Sequence, residues 1–256
     1  MTETFYNNIA ALQERKQVNT PGNATDLPAW IMDCLQLYKG HHILDIGYGT
    51  GQQALFLAQC VGPTGHVLAL NRSYEALHAL SQRSLELGLE RCLRLLQIPL
   101  DELEGHLRQD DFDRVLASRA LYSLKQSLVV FTAIRQALKP GGIFFFYGPA
   151  RRNNVEIKRF HAALRGETFL PTSKDLLFIE EIGIPCARET FSQVEVVKFE
   201  QALFFDSPDA LYACWSTSTL YDAELDMPFR QAAIRHFESH AIFETVKRAV
   251  GVKALK

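Results

Sequence analysis

The sequence predicts an α/β protein: a three-layer, doubly wound, mostly parallel seven-stranded sheet with an antiparallel closing strand and a helical lid. Three observations predict it. Short, mostly apolar runs at 43–46 (with Asp45 inside it), 66–70 and 143–147 alternate with segments of helical periodicity, the pattern of parallel strands buried on both faces. The run at 43–46 breaks into glycines at alternate positions, Gly47, Gly49 and Gly51, and then turns into a helix. Residues 194–199 (Val-Glu-Val-Val-Lys-Phe) alternate instead, as a strand near a sheet edge does.

In chain order, residues 3–17 form an amphipathic helix with Phe5, Ile9 and Leu12 on one side, followed by a turn-rich loop. Asp26 caps a helix that runs through Trp30 and Leu35 and ends near Gly40. The first strand and its helix (51–60) lead to the turn 62–65 and a second strand, 66–70. Ser73 caps a helix over 74–87 that Gly88 closes, and 93–98 is a third strand. A fourth strand at 112–117, a helix at 126–138, the stop at Lys139-Pro-Gly-Gly142 and a fifth strand at 143–147 complete the repeating part. Beyond it, helices are expected over 154–165, from Thr172 or Ser173 to about Ile182, from Ser207 through Trp215, and over 228–240. Residues 242–255 form a closing strand paired with 193–205.

One domain, 1–256, is expected. It divides into N-terminal helices and lid (1–40), a ligand-binding core (41–148), a lid insertion (149–192) and a C-terminal strand–helix–strand part (193–256). A formal net charge of −2 disfavours a broad nucleic-acid-binding face. Cys34, Cys60, Cys92, Cys186 and Cys214 are scattered without CxxC spacing and read as reduced, mostly buried residues. The start lacks a basic segment followed by an apolar one, and no apolar run reaches transmembrane length. A cytoplasmic protein without membrane or nucleic-acid partners is expected. His41 and His42 have no further histidine or carboxylate at metal-ligand spacing, so no metal is expected.

Glycines between a buried strand and a helix bring backbone close to a ligand, and the free N–H groups of the new helix favour a polar or anionic group. The spacing is G-x-G-x-G rather than the G-x-G-x-x-G of dinucleotide binders, which disfavours a nicotinamide-dependent oxidoreductase. The block 43–51 resembles motif I of the class I S-adenosylmethionine-dependent methyltransferases. The likeness continues through 112–121 and 138–143, covers about 40–150, and is similar to the small-molecule branch of that family.

The resemblance implies S-adenosylmethionine as cofactor, S-adenosylhomocysteine as its product and a small-molecule acceptor. It implies cofactor contacts at Asp45, near the ammonium group, and at Gly47, Tyr48, Gly49 and Gly51. Asn71 and Arg72 would serve the ribose, Ile98, Pro99 and Leu100 the adenine, and Ser118 the end of the fourth strand. Two positions depart from the family pattern. Asn71 stands where an acidic residue is usual, and Ile98-Pro99-Leu100 replace an aspartate, with Asp101 two residues on. A non-catalytic nucleoside-binding or regulatory protein that retains the fold is the alternative they suggest.

The catalytic group is unknown from sequence, because displacement at an activated methyl needs chiefly alignment. His161 is the histidine best placed for a base, with a surface role as its alternative. Tyr122 either touches the acceptor or packs. Arg119 and Arg151 either bind an acidic acceptor, for which a guanidinium is suited, or serve as a local ion-pair partner and a solvated loop residue. Tyr6 and Trp215 line an apolar pocket or pack between helices. The sequence leaves a homodimer open.

Overall fold

The computed structural model describes residues 26–47, 51–170 and 177–256; the expected helix at 3–17, Tyr6 and the cap at Thr172 or Ser173 lie outside them. The described residues form two compact units, one of 26–149, 177–198 and 250–256, the other of 150–170 and 199–249. The expected insertion at 149–192 is thus divided between them.

In the first unit, α1 (Leu27–Leu35) is followed by β1 (His42–Ile46), α2 (Gln52–Val61), β2 (His66–Asn71), α3 (Tyr74–Glu86) and β3 (Leu93–Gln97). Then come β4 (Phe112–Ser118), α4 (Ser127–Ala137) and β5 (Leu138–Pro149), with α6 (Ile184–Thr190) further along the chain. The second unit holds α5 (Val155–Leu164), α7 (Pro208–Ser216) and α8 (Asp226–Ser239). The strands β6 (Gln193–Phe205) and β7 (Phe243–Leu255) contribute residues to both.

The sheet has seven strands in the order β3-β2-β1-β4-β5-β7-β6. The first five are parallel, with Asp45 level with Ala69 of β2 and Leu116 of β4. The closing strand runs the other way: Gly141 N donates to Lys256 O, and Lys256 N returns a bond to Gly142 O. Chain order reverses between β1 and β4, and in open α/β sheets ligands bind outside the carboxyl ends of the strands at such a switch point.

Local chemistry accounts for the helix starts. Asp26 Oδ1 accepts from Ala29 N, Ser73 Oγ from Ala76 N and Ser207 Oγ from Ala210 N, each satisfying an N–H that the first turn leaves unpaired. Two ends depart from expectation. The helix α1 stops at Leu35, with Gln36 in the left-handed region at φ 49°, rather than near Gly40. There Arg114 of β4, buried, donates from Nε to Leu35 O and from Nη2 to Gln36 O at 3.0 Å, and a cation suits a helix carboxyl end. The helix expected to end near Ile182 continues through the wider turn Ile179–Gly183 into α6. Pro185 has no N–H to give the ladder, and the wider turn sits just ahead of it.

Gly183 faces β5 at close range: a Cβ there would lie 2.8 Å from the Phe146 ring. The core of this unit includes Ile43, Leu44, Ile46, Val115, Leu116 and the run Phe144-Phe145-Phe146, all buried. The second unit has its own core, in which Trp215 stacks on Phe229 at 4.1 Å, with Ile157, Leu211 and Phe243 around them. No described helix is long and apolar enough to cross a membrane.

Candidate functional site

The site begins with a carboxylate in the middle of the sheet. Asp45 is fully buried on β1, the middle one of the five parallel strands, between apolar neighbours, where an ionised group loses its hydration. Burial raises its pKa to about 7, and a hydrogen bond from Gln53 partly opposes the rise. Gln53 Nε2 donates to Asp45 Oδ1 at 2.8 Å. The other end of the same amide, Oε1, accepts from Ser118 Oγ at 2.7 Å. Asp45 Oδ2 has no hydrogen-bond partner among the described residues. A buried acceptor without a donor is costly, and it suits a cationic ligand group.

Around it stand the carboxyl ends of the parallel strands. Gly47, directly after β1, has φ +71°, donates its N–H to Leu70 O at 3.0 Å, and lies so close to Ala120 that a Cβ would approach that methyl to 2.3 Å. This glycine therefore serves the packing of the β4 loop as well as any ligand. Gly51 precedes α2 with φ +83°. Tyr48 and Gly49 lie outside the described residues.

Asn71 ends β2, but its Oδ1 accepts from Ser73 N at 3.1 Å, turning the chain into α3. Its amide nitrogen and the second lone pair of that oxygen are the groups suited to a ligand hydroxyl. Arg72 offers its carbonyl to Gln97 Nε2 at 3.2 Å. Ile98 is buried and Pro99 opens a short helical turn, Leu100–Glu102. Asp101 is engaged there: its Oδ1 accepts from Lys125 N at 3.0 Å, ahead of α4.

After β4, Ser118 lies level with Tyr147 of β5 and Arg119 takes the left-handed conformation at φ 57°, its N–H bonded to Tyr147 O. A non-glycine residue there carries strain of order 1 kcal/mol. Tyr122 packs edge-on to Phe178, and its hydroxyl oxygen is 2.8 Å from where a Gly148 Cβ would stand.

The structure thus brings together Asp45, Gly47, Gly51, Asn71, Arg72, Ile98, Pro99, Leu100, Ser118, Arg119 and Tyr122 at one end of the sheet of one unit. Arg151 and His161 belong to the other. Trp215 Nε1 donates to His161 Nδ1 at 3.2 Å, so the neutral ring carries its proton on Nε2. Burial and nearby Arg165 hold His161 below the usual histidine pKa. Its Nε2 is therefore a donor, whereas a base there would need a free lone pair. Trp215 itself is core, stacked on Phe229. No group of three or more metal-ligating side chains occurs among the described residues.

Sequence reasoning missed Gln53. The available signal was an amide in the first turn of an apolar helix, at the second position after the glycines.

The chain is similar to known proteins. A family model described as a methyltransferase domain matches residues 37–167. The chain is 27% identical over 162 residues to a protein-L-isoaspartate O-methyltransferase of Methanosarcina mazei, covering 63% of this chain and 62% of that protein. It is 29% identical over 116 residues to a demethylmenaquinone methyltransferase of Staphylococcus aureus, covering 44% of this chain and 45% of that one. The matches span less than two thirds of either relative. A solved SAM dependent methyltransferase from Aquifex aeolicus superposes with a TM-score of 0.55 at 14% identity, covering 95% of this chain and 97% of that one, a likeness of fold.

Proposed function

Because the chain belongs to the methyltransferase-domain family, we propose that it transfers a methyl group from S-adenosylmethionine to a small organic acceptor. One observation carries the reading beyond the family: a buried carboxylate oxygen, Asp45 Oδ2, without a partner among the described residues, beside the strand-order reversal. An acceptor atom in that position fits the ammonium group of an amino-acid moiety.

When bound, S-adenosylmethionine supplies a methyl group already activated by its sulfonium. The chain's own residues hold and align. Asp45 receives the cation, Gly47 and Gly51 keep the turn free of side chains, and the Asn71 amide donates to a ribose hydroxyl. Ile98 and Leu100 offer apolar surface to the base. On the acceptor side we place Arg119, a fixed cation for an acidic group, and Tyr122. Alignment of the two reactants lowers the barrier by several kcal/mol without a charged catalyst. A base is required only where the acceptor must lose a proton.

A non-catalytic nucleoside-binding role is the second reading. Asn71 favours it, since the ribose then meets a neutral amide, its oxygen already accepting from Ser73 N, in place of a carboxylate. Calorimetric titration with S-adenosylmethionine, S-adenosylhomocysteine and NAD tests the first reading. Both adenosyl compounds are expected to bind below millimolar concentrations and NAD not to; failure of both adenosyl compounds overturns it. Formation of S-adenosylhomocysteine in the presence of small acidic acceptors separates the enzyme from the binding protein.

A further inference from the structure

We propose that Gln53 is a positioning residue that holds the Asp45 carboxylate with one oxygen turned away and the other open to the ligand cation, and that Ser118 in turn holds Gln53. The inference rests on the adenosylmethionine reading and assigns part of that site to a residue outside the glycine loop.

The geometry carries it. The Gln53 amide is used at both ends, at 2.8 Å to Asp45 Oδ1 and 2.7 Å from Ser118 Oγ. An ionised Asp45 accepts only from the NH2 end, and the Ser118 hydroxyl then donates to the carbonyl end, so the three groups fix one another's orientation. Rotation of the carboxylate about its last bond would break the first contact and carry Oδ2 out of place. The chain joins β1, the start of α2 and the carboxyl end of β4, the two strands between which chain order reverses. Two strand ends of the cofactor site are thereby linked through a single side chain.

The same bond stabilises the charged form of Asp45, whose other surroundings only oppose it. Its level neighbours on β2 and β4, Ala69 and Leu116, are uncharged; among the described residues no charged group contributes to its shift, and the Gln53 hydrogen bond is what opposes the effect of burial. A ligand ammonium at Oδ2 favours the carboxylate, so its binding releases a proton wherever Asp45 was protonated beforehand. Without Gln53, a larger share of Asp45 is protonated near neutral pH.

The test is calorimetric titration of the full chain with S-adenosylhomocysteine between pH 5.5 and 8, in buffers of different ionisation enthalpy, for the natural protein, Gln53→Met, Ser118→Ala and Asp45→Asn. Gln53→Met is expected to weaken binding about tenfold at pH 7, to release more protons, and to move the inflection to higher pH. Ser118→Ala is expected to move the inflection in the same direction by less. A merely structural glutamine would not shift it. If Gln53→Met keeps the natural affinity and inflection while Asp45→Asn loses binding, the inference is overturned. Should Gln53→Met fail to fold, an unmoved inflection in Ser118→Ala overturns it equally. If the natural protein does not bind S-adenosylhomocysteine, the cofactor reading itself fails and takes this inference with it.

Discussion

At the scale of single residues, Asp45 sets the energetics of the site. Its pKa stands near 7 in the folded chain against an ordinary value near 4. Between those two pH values the folded chain keeps a proton that the unfolded chain releases. Stability from this group is therefore fully present below pH 4, falls as pH rises through the window, and is lost above about 7, an effect of about 4 kcal/mol. Asp45→Asn is expected to raise unfolding free energy in urea by about 1–3 kcal/mol at pH 8, with little change at pH 4. An equal gain at both values would show that burial of the charge is not the cause. This carboxylate's place in motif I was legible in the sequence. Its open oxygen was not, because that depends on where Gln53 and Ser118 come to rest.

At the scale of elements, the two ends of the sheet behave differently. At the amino ends of β1 and β2, the His42 and His66 rings lie 4.0 Å apart. Burial first, then the neighbouring His42, Arg94 and Lys139, hold His66 below the usual histidine range, with Asp111 opposing. A histidine lowered in this way binds fewer protons folded than unfolded, so its contribution is present above pH 6.5 and is lost as pH falls below it. His66→Phe should flatten the decline in melting temperature between pH 7 and 5; an unchanged slope would assign the decline elsewhere. The sign is opposite to that of Asp45.

Arg114 ties β4 to the last carbonyls of α1, and Arg114→Leu removes donors from Leu35 O and Gln36 O. A loss of about 2–3 kcal/mol is expected, with faster hydrogen exchange along α1; exchange confined to other elements would contradict that role. Helix starts were readable in the sequence because Asp26, Ser73 and Ser207 cap within three residues. The end of α1 was not, since its cap comes from a strand 79 positions away.

For the whole molecule, neither compact unit is one continuous piece of chain. The polypeptide passes between them repeatedly, and β6 and β7 belong to both. Loss of either unit therefore breaks strands of the other, and a single cooperative transition is expected. The two tryptophans test it: Trp30 packs on Phe145 in one unit, and Trp215 stacks on Phe229 in the other. Trp30→Phe and Trp215→Phe leave one reporter each. Within each variant, the remaining tryptophan's fluorescence and the far-ultraviolet circular dichroism of the whole chain should give coincident urea transitions. Separated midpoints in either variant would show that the units unfold independently.

By itself the sequence determined the alternation of strands and helices, most of their boundaries and the glycine turn that points to the cofactor. These rest on side-chain periodicity, capping and backbone sterics, which act within a few residues. Only the tertiary structure decided which partly buried polar groups meet. It placed Ser118 on Gln53 across 65 positions and aimed the Trp215 indole N–H at His161 Nδ1, which makes Nε2 of the neutral ring a donor. It also drew the boundary through the expected insertion. A buried hydrogen bond is chosen by strand register and helix packing together, and no local pattern encodes that choice.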